Sequence, residues 1–319
     1  KMRFGSSQHT GLGPVNGIQQ NPLVAKVAHA QNPTHADIWQ PIYATREVAW
    51  IPDQPPNPIT LRLQAMSSIT QGVFPWYGGP DTHIDIFKDI NADIMKRQPT
   101  FSGVDVKYIA VAMSDRTKDF YDNSTDNPHK ETYKNNTWGI DSMLSQHHLL
   151  NNIVFDDDLE NGRLEDYKVL MLSNTACLSQ KSIENVTNWV SKGGTLVATH
   201  ETSLYDQWGT KRGDFGLGEL LGIRYLDSIE ESKGFIPVPP REGRKEIAER
   251  SLELNDPSLN EGQVSASFYG AYTLFEITAS DVEVIAHATP RRSKWTEPEV
   301  LKEIQFGRPE AVQRSYGNG

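Results

Sequence analysis

Three apolar segments decide the fold of this 319-residue chain: Tyr108-Ile-Ala-Val-Ala-Met113, Tyr167-Lys-Val-Leu-Met-Leu172 and Thr195-Leu-Val-Ala-Thr199. Each is a short aliphatic run, which is typical of a strand buried on both faces of a parallel sheet. A helix pattern that Ser179 can cap precedes the third segment and ends at Gly193-Gly194. Strands that alternate with helices in this way predict parallel strands joined by helical crossovers.

Residues 107–225 therefore predict a flavodoxin-like, doubly wound parallel sheet. We expect the three segments to be parallel neighbours, with both faces of each strand buried. Two further strand patterns, at 272–278 and 282–288, are expected at an edge of the same domain.

The preceding part of the chain has the rhythm of two βα units, which is characteristic of α/β folds. Strand patterns at 38–50 and 73–77 are followed by helix patterns at 60–71 and 84–97. Residues 5–36 are rich in Gly, Gln, Asn and Pro, and they predict a long loop with short helical pieces.

Two features predict that the chain is a segment of a longer protein. Two βα units cannot close a sheet or barrel alone, and the turn signal Asn318-Gly319 has no strand after it. We expect one domain at 1–104 and a second at 105–319.

Composition limits the classes of partner. The chain has 31 Lys and Arg against 41 Asp and Glu, a net charge of −10, which argues against nucleic acid and against anionic membranes as partners. The one cysteine, Cys177, excludes an internal disulfide and a zinc site of several thiolates. We find no apolar run of about 18 residues that predicts a membrane span.

Candidate site residues lie at the ends of the two early strand patterns. Glu47 is placed where parallel barrels carry catalytic groups, although an ordinary surface glutamate is the alternative. Trp76 and Tyr77 offer aromatic faces that suit the apolar C–H patches of sugar rings, and Asp81 and His83 can bond sugar hydroxyls. The alternative is a core tryptophan followed by a turn.

No metal or cofactor is predicted. The run Asp156–Glu160 partly imitates a calcium loop, but Asn161 replaces the required glycine, and an acidic solvated loop is favoured. His147 and His148 are adjacent in a predicted helix and point about 100° apart, which does not suit a shared metal. The glycine patterns do not match a nucleotide-binding motif.

Three Asn-X-Ser/Thr triplets match the glycosylation pattern, at Asn123, Asn135 and Asn185. Asn185 lies inside a predicted helix, which weakens its case.

Several stretches carry a resemblance to a known family. Ile109-Ala-Val-Ala-Met-Ser-Asp-Arg-Thr-Lys-Asp-Phe-Tyr121 resembles the first strand and loop of the β-galactosidase trimerisation domain. Two other matching stretches are Tyr167-Lys-Val-Leu-Met-Leu-Ser-Asn174 and Gly193-Gly-Thr-Leu-Val-Ala-Thr-His-Glu-Thr-Ser-Leu-Tyr-Asp206, and Phe215-Gly-Leu-Gly-Glu-Leu-Leu-Gly222 resembles its closing helix. That domain is similar to class I glutamine amidotransferases without their catalytic cysteine.

The resemblance implies an architecture. Residues 38–97 resemble the last two βα units of the (β/α)8 TIM-type barrel of β-galactosidase family 42-like glycosyl hydrolases. The implied fold is the end of such a barrel followed by the amidotransferase-like sheet. The implied partners are a carbohydrate substrate and further copies of the chain, with a trimer formed through residues 107–225.

The resemblance also implies catalytic roles. A retaining glycosidase uses two carboxylates about 5–5.5 Å apart. By resemblance, the nucleophile comes from a late barrel strand, where Glu47 is the well-placed glutamate, and the acid/base comes from a strand upstream of Lys1.

Three functions stay open from the sequence. The first is a portion of a glycoside hydrolase, and the second is a non-catalytic carbohydrate-binding or oligomerisation module. The third is an amidotransferase-like hydrolase, which is disfavoured because the expected nucleophile turn holds His200-Glu-Thr-Ser203 and no cysteine.

A long polar segment, 115–136, follows the first deciding strand. It carries a set of residues suited to sugars: Arg116, Asp119, Tyr121, Asp122, Asn123 and His129. Because parallel sheets bind ligands at the carboxyl ends of their strands, two interpretations follow. The segment is either a mobile surface loop or a cover over the barrel mouth of its own or a neighbouring subunit.

Overall fold

The computed structural model describes residues 14–31, 39–43, 58–78, 84–101, 103–122, 132–229, 250–254, 265–268, 272–290 and 309–319. The protein is mixed α/β. Its helices are α1 (Pro14–Gln31), α2 (Pro58–Ile69), α3 (Ile84–Arg97), α4 (Thr132–Gln146), α5 (Asp156–Glu160), α6 (Gln180–Ser191) and α7 (Gly218–Leu221). Its strands are β1 (Trp39–Tyr43), β2 (Phe74–Gly78), β3 (Ile109–Met113), β4 (Asn151–Phe155), β5 (Val169–Ser173), β6 (Thr195–Thr199), β7 (Ile223–Ile229), β8 (Arg250–Leu254), β9 (Ser265–Phe268), β10 (Tyr272–Ile277), β11 (Val282–Pro290) and β12 (Pro309–Arg314).

The chain divides into two compact units. Unit 1 comprises Lys1–Met113, Lys134–Phe155 and Asp166–Met171, and unit 2 comprises Ser114–Tyr133, Asp156–Glu165 and Leu172–Gly319. Among the described residues, no helix has both the length and the apolar character that a membrane span requires.

Unit 1 contains the two predicted βα units. Strands β1 and β2 pair in parallel, and α2 connects them. One side of α2 and α3 is apolar and forms a core of Leu61, Ala65, Ile69, Ile90 and Ile94. Gly72, just after α2, has a φ of 76°, as expected of a glycine that ends a helix.

A second core of unit 1 corrects the prediction of a loop at 5–36. Residues 14–31 form the 18-residue helix α1, whose Leu23 packs in a cluster with Ile109, Val111 and Ile153. The half-buried Lys26 ammonium lies 2.7 Å from the buried Asp141 carboxylate. This packing holds a helix together although its sequence is rich in Asn and Gln.

The parallel sheet has the strand order β4-β3-β5-β6. Strand β3 pairs in parallel with β4 and β5, and Ile109 is opposite both Asn151 and Val169. Counted within this sheet the order is 2-1-3-4, with which flavodoxin-like sheets begin. The prediction that the three deciding segments are neighbours is confirmed.

Burial on both faces was wrong for the third segment. Residues of β3 and β5 are mostly buried, whereas β6 alternates between exposed and half-buried positions, and Val197 is 38% exposed. Strand β6 ends the order of the sheet, so among the described strands it has a neighbour on one side only. Thr195 and Thr199, which lie at its two ends, suit this edge position.

The last strands of unit 2 form two antiparallel sheets and not an edge of the parallel sheet, which corrects that expectation. Strand β10 pairs with β7, and the other sheet has the order β12-β11-β8-β9. The Asn318 amide donates to the Ser191 carbonyl at the end of α6. The predicted Asn318-Gly319 turn therefore contacts the end of a helix.

Helix α6 begins as predicted. The Ser179 side chain accepts a hydrogen bond from the Ser182 amide, and Leu178 and Ile183, which flank the cap, are both buried.

Candidate functional site

The two βα units bring the carboxyl ends of β1 and β2 together. Tyr43, the last residue of β1, is the register partner of Gly78, the last residue of β2. The two segments that follow β1 and β2 therefore begin at the same edge of this sheet. The predicted site requires this, because its residues follow these two strands.

The structure describes only part of the predicted sugar site. Glu47, Asp81 and His83 lie outside the described residues. Trp76 and Tyr77 belong to β2, where their backbones are the register partners of Pro41 and Ile42. The roles of these five residues stay predictions.

Unit 2 contains a second candidate region, in the turns that follow β5 and β6. Asn174 and His200 directly follow these strands, and both have a left-handed backbone, with φ values of 50° and 52°. Such a conformation is uncommon outside glycine and is typical of sharp, functionally shaped turns. The Asn174 amide donates to Thr199 Oγ1 at 3.0 Å, which joins the ends of the two strands.

A buried carboxylate lies in this region. Glu201 is 3% exposed, and its oxygens accept hydrogen bonds from the Tyr121 hydroxyl at 2.6 Å and from the Ser228 hydroxyl. The Glu201 amide donates to Asn174 Oδ1 at 3.3 Å. Burial is the larger cause, and the negative charge of Glu201 the next, of a raised pKa of Tyr121. The phenol therefore stays protonated and is the donor of the hydrogen bond to Glu201.

Aromatic packing encloses the same carboxylate. The rings of Tyr121 and Tyr205 lie 5.1 Å apart in an edge-to-face arrangement. Burial also raises the pKa of Tyr205, followed by the charge of Glu201. This carboxylate is well bonded and shielded from solvent, which suits a structural role.

The segment after β3 corrects the prediction of a polar loop at 115–136. Residues 117–122 form a helical turn in which Thr117, Tyr121 and Asp122 are buried. The buried Asp122 carboxylate accepts from the Tyr133 amide at 3.3 Å. Tyr121 and Asp122 therefore serve internal packing and not sugar binding. Asn123 and His129 lie outside the described residues.

Arg116 also has an internal partner. Its guanidinium donates to Glu160 Oε1 at 2.5 Å, and this bond lowers the pKa of Glu160. The Arg116 backbone amide donates to the carboxylate of Asp156, whose pKa is raised chiefly by burial. The acidic run that contains these partners forms helix α5, which corrects the expectation of a solvated loop.

Metal-binding alternatives gain no support. Among the residues that the structure describes, no group of three or more His, Cys, Asp or Glu side chains could hold a metal ion. His147 and His148 follow the end of α4 in a turn, not in the helix as predicted.

Cys177 is unsuited to nucleophilic catalysis. The thiol is fully buried, and burial, followed by the nearby charges of Asp156 and Asp206, raises its pKa to about 12. A catalytic cysteine needs the opposite, a pKa lowered by a positive environment. The Cys177 backbone amide donates to Thr117 Oγ1 at 3.1 Å, which is a structural contact.

The glycosylation pattern at Asn185 has a structural explanation. Its side-chain nitrogen donates to the carbonyls of Leu159 and Glu160, at 3.0 and 2.8 Å. The amide that a glycan would modify is thus engaged at the end of α5.

Sequence reasoning missed an exposed aromatic pair in unit 2. Phe120 and Trp208 are 42% and 69% exposed, with ring centroids 6.1 Å apart. A tryptophan within the turn-forming sequence Asp206-Gln-Trp-Gly209 was the available signal.

The parallel βα units and the flavodoxin-like strand order define a mixed α/β protein, and this fold occurs in known carbohydrate-acting enzymes. A catalytic mutant of Gan42B, a GH42 β-galactosidase from G. stearothermophilus, is 12% identical, with a TM-score of 0.71 over 99% of this chain and 45% of that chain. The β-galactosidase of Rahnella sp. R3 is 11% identical, with a TM-score of 0.72 over 99% of this chain and 46% of that chain.

A third similar structure is α-L-fucosidase isoenzyme 2 from Paenibacillus thiaminolyticus, 15% identical, with a TM-score of 0.59 over 93% of this chain and 41% of that chain. The chain spans less than half the length of each of these three proteins. No family profile and no curated protein matches the sequence. The resemblance to GH42 β-galactosidases is thus confirmed at the level of fold.

Proposed function

We propose that the chain is part of a glycoside hydrolase that acts on β-galactosides or related sugars. The observation that carries the proposal is the fold, which aligns over 99% of the chain with two β-galactosidases. The α-L-fucosidase with the same fold leaves the particular sugar open, so β-galactosides are the first substrates to test.

The proposal assigns different roles to two domains of the chain. Residues 1–104 form the end of a (β/α)8 barrel, and residues 105–319 form a non-catalytic, amidotransferase-like association domain. The parallel pairing of β1 and β2 supports the first part, because neighbouring barrel strands are parallel. The strand order of the second sheet supports the other.

We assign the catalytic chemistry to the carboxyl ends of the two barrel strands, β1 and β2. Glu47 is the nucleophile of a retaining mechanism, in which a second carboxylate acts as acid/base. Trp76 and Tyr77 stack on the sugar, and Asp81 and His83 bond its hydroxyls. Neighbouring strand positions alternate between two faces, so the two aromatic residues need separate tests.

The test is hydrolysis of chromogenic β-galactosides by a longer protein that contains this chain and supplies the upstream acid/base, with Glu47→Gln as the variant. The amide keeps the shape of the side chain and removes the attacking charge, so kcat should fall by about a thousandfold or more while sugar binding persists. Glu165→Gln, at an exposed position, is the matched control. Undiminished turnover by Glu47→Gln would remove this residue from the mechanism.

Binding without turnover in that longer protein would favour the second candidate, a non-catalytic carbohydrate-binding module. The amidotransferase-like alternative is not pursued, because a buried thiol with a pKa of about 12 is a poor nucleophile.

Association into a trimer through residues 107–225 is part of the proposal. Light scattering of the intact protein should give about three times the mass of one chain, which is 35.8 kDa for these 319 residues. A monomer at micromolar concentration would contradict this part alone and leave the catalytic assignment standing.

A further inference from the structure

Unit 2 presents two aromatic rings to solvent side by side. Trp208 is 69% exposed and Phe120 is 42% exposed, and their planes meet at 68° with centroids 6.1 Å apart. Phe120 lies in the helical turn after β3, whereas Trp208 lies in the turn beyond β6. Two aromatic rings in contact, both of them exposed, offer an apolar surface on which a ligand can stack.

The turn that carries Trp208 is held by its own hydrogen bonds. Asp206 Oδ1 accepts from the backbone amides of Trp208 and Thr210, at 2.8 and 2.9 Å. The Asp206 amide in turn donates to the Thr210 carbonyl at 2.9 Å. The indole is therefore mounted on a closed, five-residue turn.

Gly209 brings this turn against Phe120. Its φ is 79°, and a Cβ atom there would lie 2.7 Å from the Phe120 Cβ. A larger residue would clash with Phe120 and strain the turn. The turn, the glycine and the edge-to-face ring contact together fix the indole before any ligand arrives, which lowers the entropic cost of binding.

Charged and polar residues lie close in the chain to the two aromatic residues. Lys118 and Asp119 directly precede Phe120 in the chain and are exposed, and so are Thr210 and Lys211. The Lys118 ammonium and the Asp119 carboxylate lie 4.0 Å apart and present a donor and an acceptor to solvent. Together with these exposed polar neighbours in the chain, which we call the polar rim, the pair forms a small aromatic platform.

The size of the platform favours a small ligand. At these exposures the two rings offer roughly 250 Å² of apolar surface, whereas a stable protein interface buries about 800 Å² on each partner. A pyranose ring has an apolar face of C–H groups that fits one indole, and hydroxyls around its edge that fit the polar rim.

We infer that Trp208 and Phe120 form a non-catalytic binding site for a neutral pyranose unit of an oligosaccharide. The ligand stacks on the Trp208 indole, and its hydroxyls bond to Lys118 and Asp119. The choice of ligand class rests on the proposed function, but the residues of the platform are other than Glu47, to which hydrolysis is assigned.

The test is calorimetric titration of the intact protein with galacto-oligosaccharides and, separately, affinity electrophoresis in galactan and galactomannan gels. Trp208→Ala should weaken oligosaccharide binding by about tenfold or more, and Trp208→Phe should lie between it and wild type. Leu226→Ala is the control, because Leu226 is another exposed apolar residue of unit 2, at 44%.

A parallel Trp76→Ala variant separates this site from the proposed catalytic one. If Trp208→Ala binds oligosaccharide with wild-type affinity and Trp76→Ala does not, the proposed sugar site at Trp208 and Phe120 is refuted and the proposed function stands. If Trp208→Ala lowers the mass of the assembly in light scattering, the rings form a contact between subunits and the inference is wrong. Absence of binding to every sugar by the wild-type protein would also overturn it.

Discussion

The Tyr121 hydroxyl donates a hydrogen bond of 2.6 Å to the Glu201 carboxylate across 80 positions of the chain. Within unit 2 this bond ties the helical turn after β3 to the turn after β6. The Ser228 hydroxyl, from β7, donates to the other carboxylate oxygen. Three segments distant in the chain thus converge on one buried acid, whose burial is tolerable only because both oxygens are bonded.

Replacing Tyr121 by Phe should lower the free energy of unfolding by about 1–3 kcal/mol, because it leaves a buried carboxylate oxygen without its donor. Urea denaturation measures the effect. Tyr108→Phe, at a position that is 46% exposed, is the control and should change little. Equal unfolding midpoints for the two variants would mean that the Glu201 bond contributes nothing to stability.

The Cys177 thiol should be inert in the folded protein. With a pKa of about 12, roughly one thiol in ten thousand is ionised at pH 8, and the thiolate is the reactive form. Reaction with a disulfide reagent should be slow in buffer, rise about tenfold for each pH unit, and become fast in concentrated urea, where the pKa returns to about 8.5.

The sign of the linkage follows from the raised pKa of this thiol. Folding favours its protonated form, so the stability that it contributes is complete below about pH 8.5 and is lost as the pH rises towards 12. Rapid, stoichiometric labelling of the folded protein at neutral pH would contradict the buried thiol and would reopen the amidotransferase hypothesis.

Gly222 should resist substitution. It follows α7 with a φ of 69°, and a Cβ there would lie 2.5 Å from Val282 Cγ2 and 3.0 Å from Ala279 Cβ. Gly222→Ala should therefore lower the free energy of unfolding by about 1–3 kcal/mol in thermal or urea unfolding.

Gly213→Ala is the matched control, because a Cβ at Gly213 meets no atom within 4 Å. It should be close to neutral in the same measurements. If both variants unfold at the same midpoint, the left-handed turn after α7 is adaptable and the argument from its geometry fails.

The sequence predicted most of the helices and strands because their local patterns agree with their final packing. Helix α3 has the predicted bounds, and Ser179 caps α6 as expected. Helix α1 was missed because Pro, Gly, Asn and Gln make up seven of its first nine residues, although Pro14 at its first position is a recognised start signal.

The edge position of β6 could not be predicted in the same way. The segment has the composition of a buried strand, and its exposure depends on which strands pair beside it. Local periodicity carries no information on that order.

In the candidate regions, too, the features set by local sequence were predicted, and the contacts between distant residues were not. The turn His200–Ser203 was found from its place after a strand, but its partner Tyr121 was assigned to a polar loop. No local sequence pattern predicts that a tyrosine will form a hydrogen bond with a residue 80 positions away. The platform of Trp208 and Phe120 was missed for the same reason, since it depends on a contact between distant turns.

The segment 123–131 offers the last test, of the hypothesis that the region after β3 covers a barrel mouth. The positions on either side of it are close together, because the Tyr133 amide donates to the buried Asp122 carboxylate at 3.3 Å. The Ser114 backbone amide in turn donates to the Tyr133 hydroxyl. A short Gly-Ser linker can therefore replace residues 123–131 without moving these anchors, and shortening a connection between two anchored positions costs little stability.

We expect the linker variant to keep the unfolding midpoint of the wild-type protein. A longer deletion, 120–132, also removes Tyr121 and Asp122 and should destabilise the fold, which makes it the contrasting variant. If the segment completes the sugar site, the linker variant should lose activity or raise KM on β-galactosides while its near-UV circular dichroism is unchanged. Wild-type kinetics in that folded variant would refute the hypothesis that this segment covers a barrel mouth.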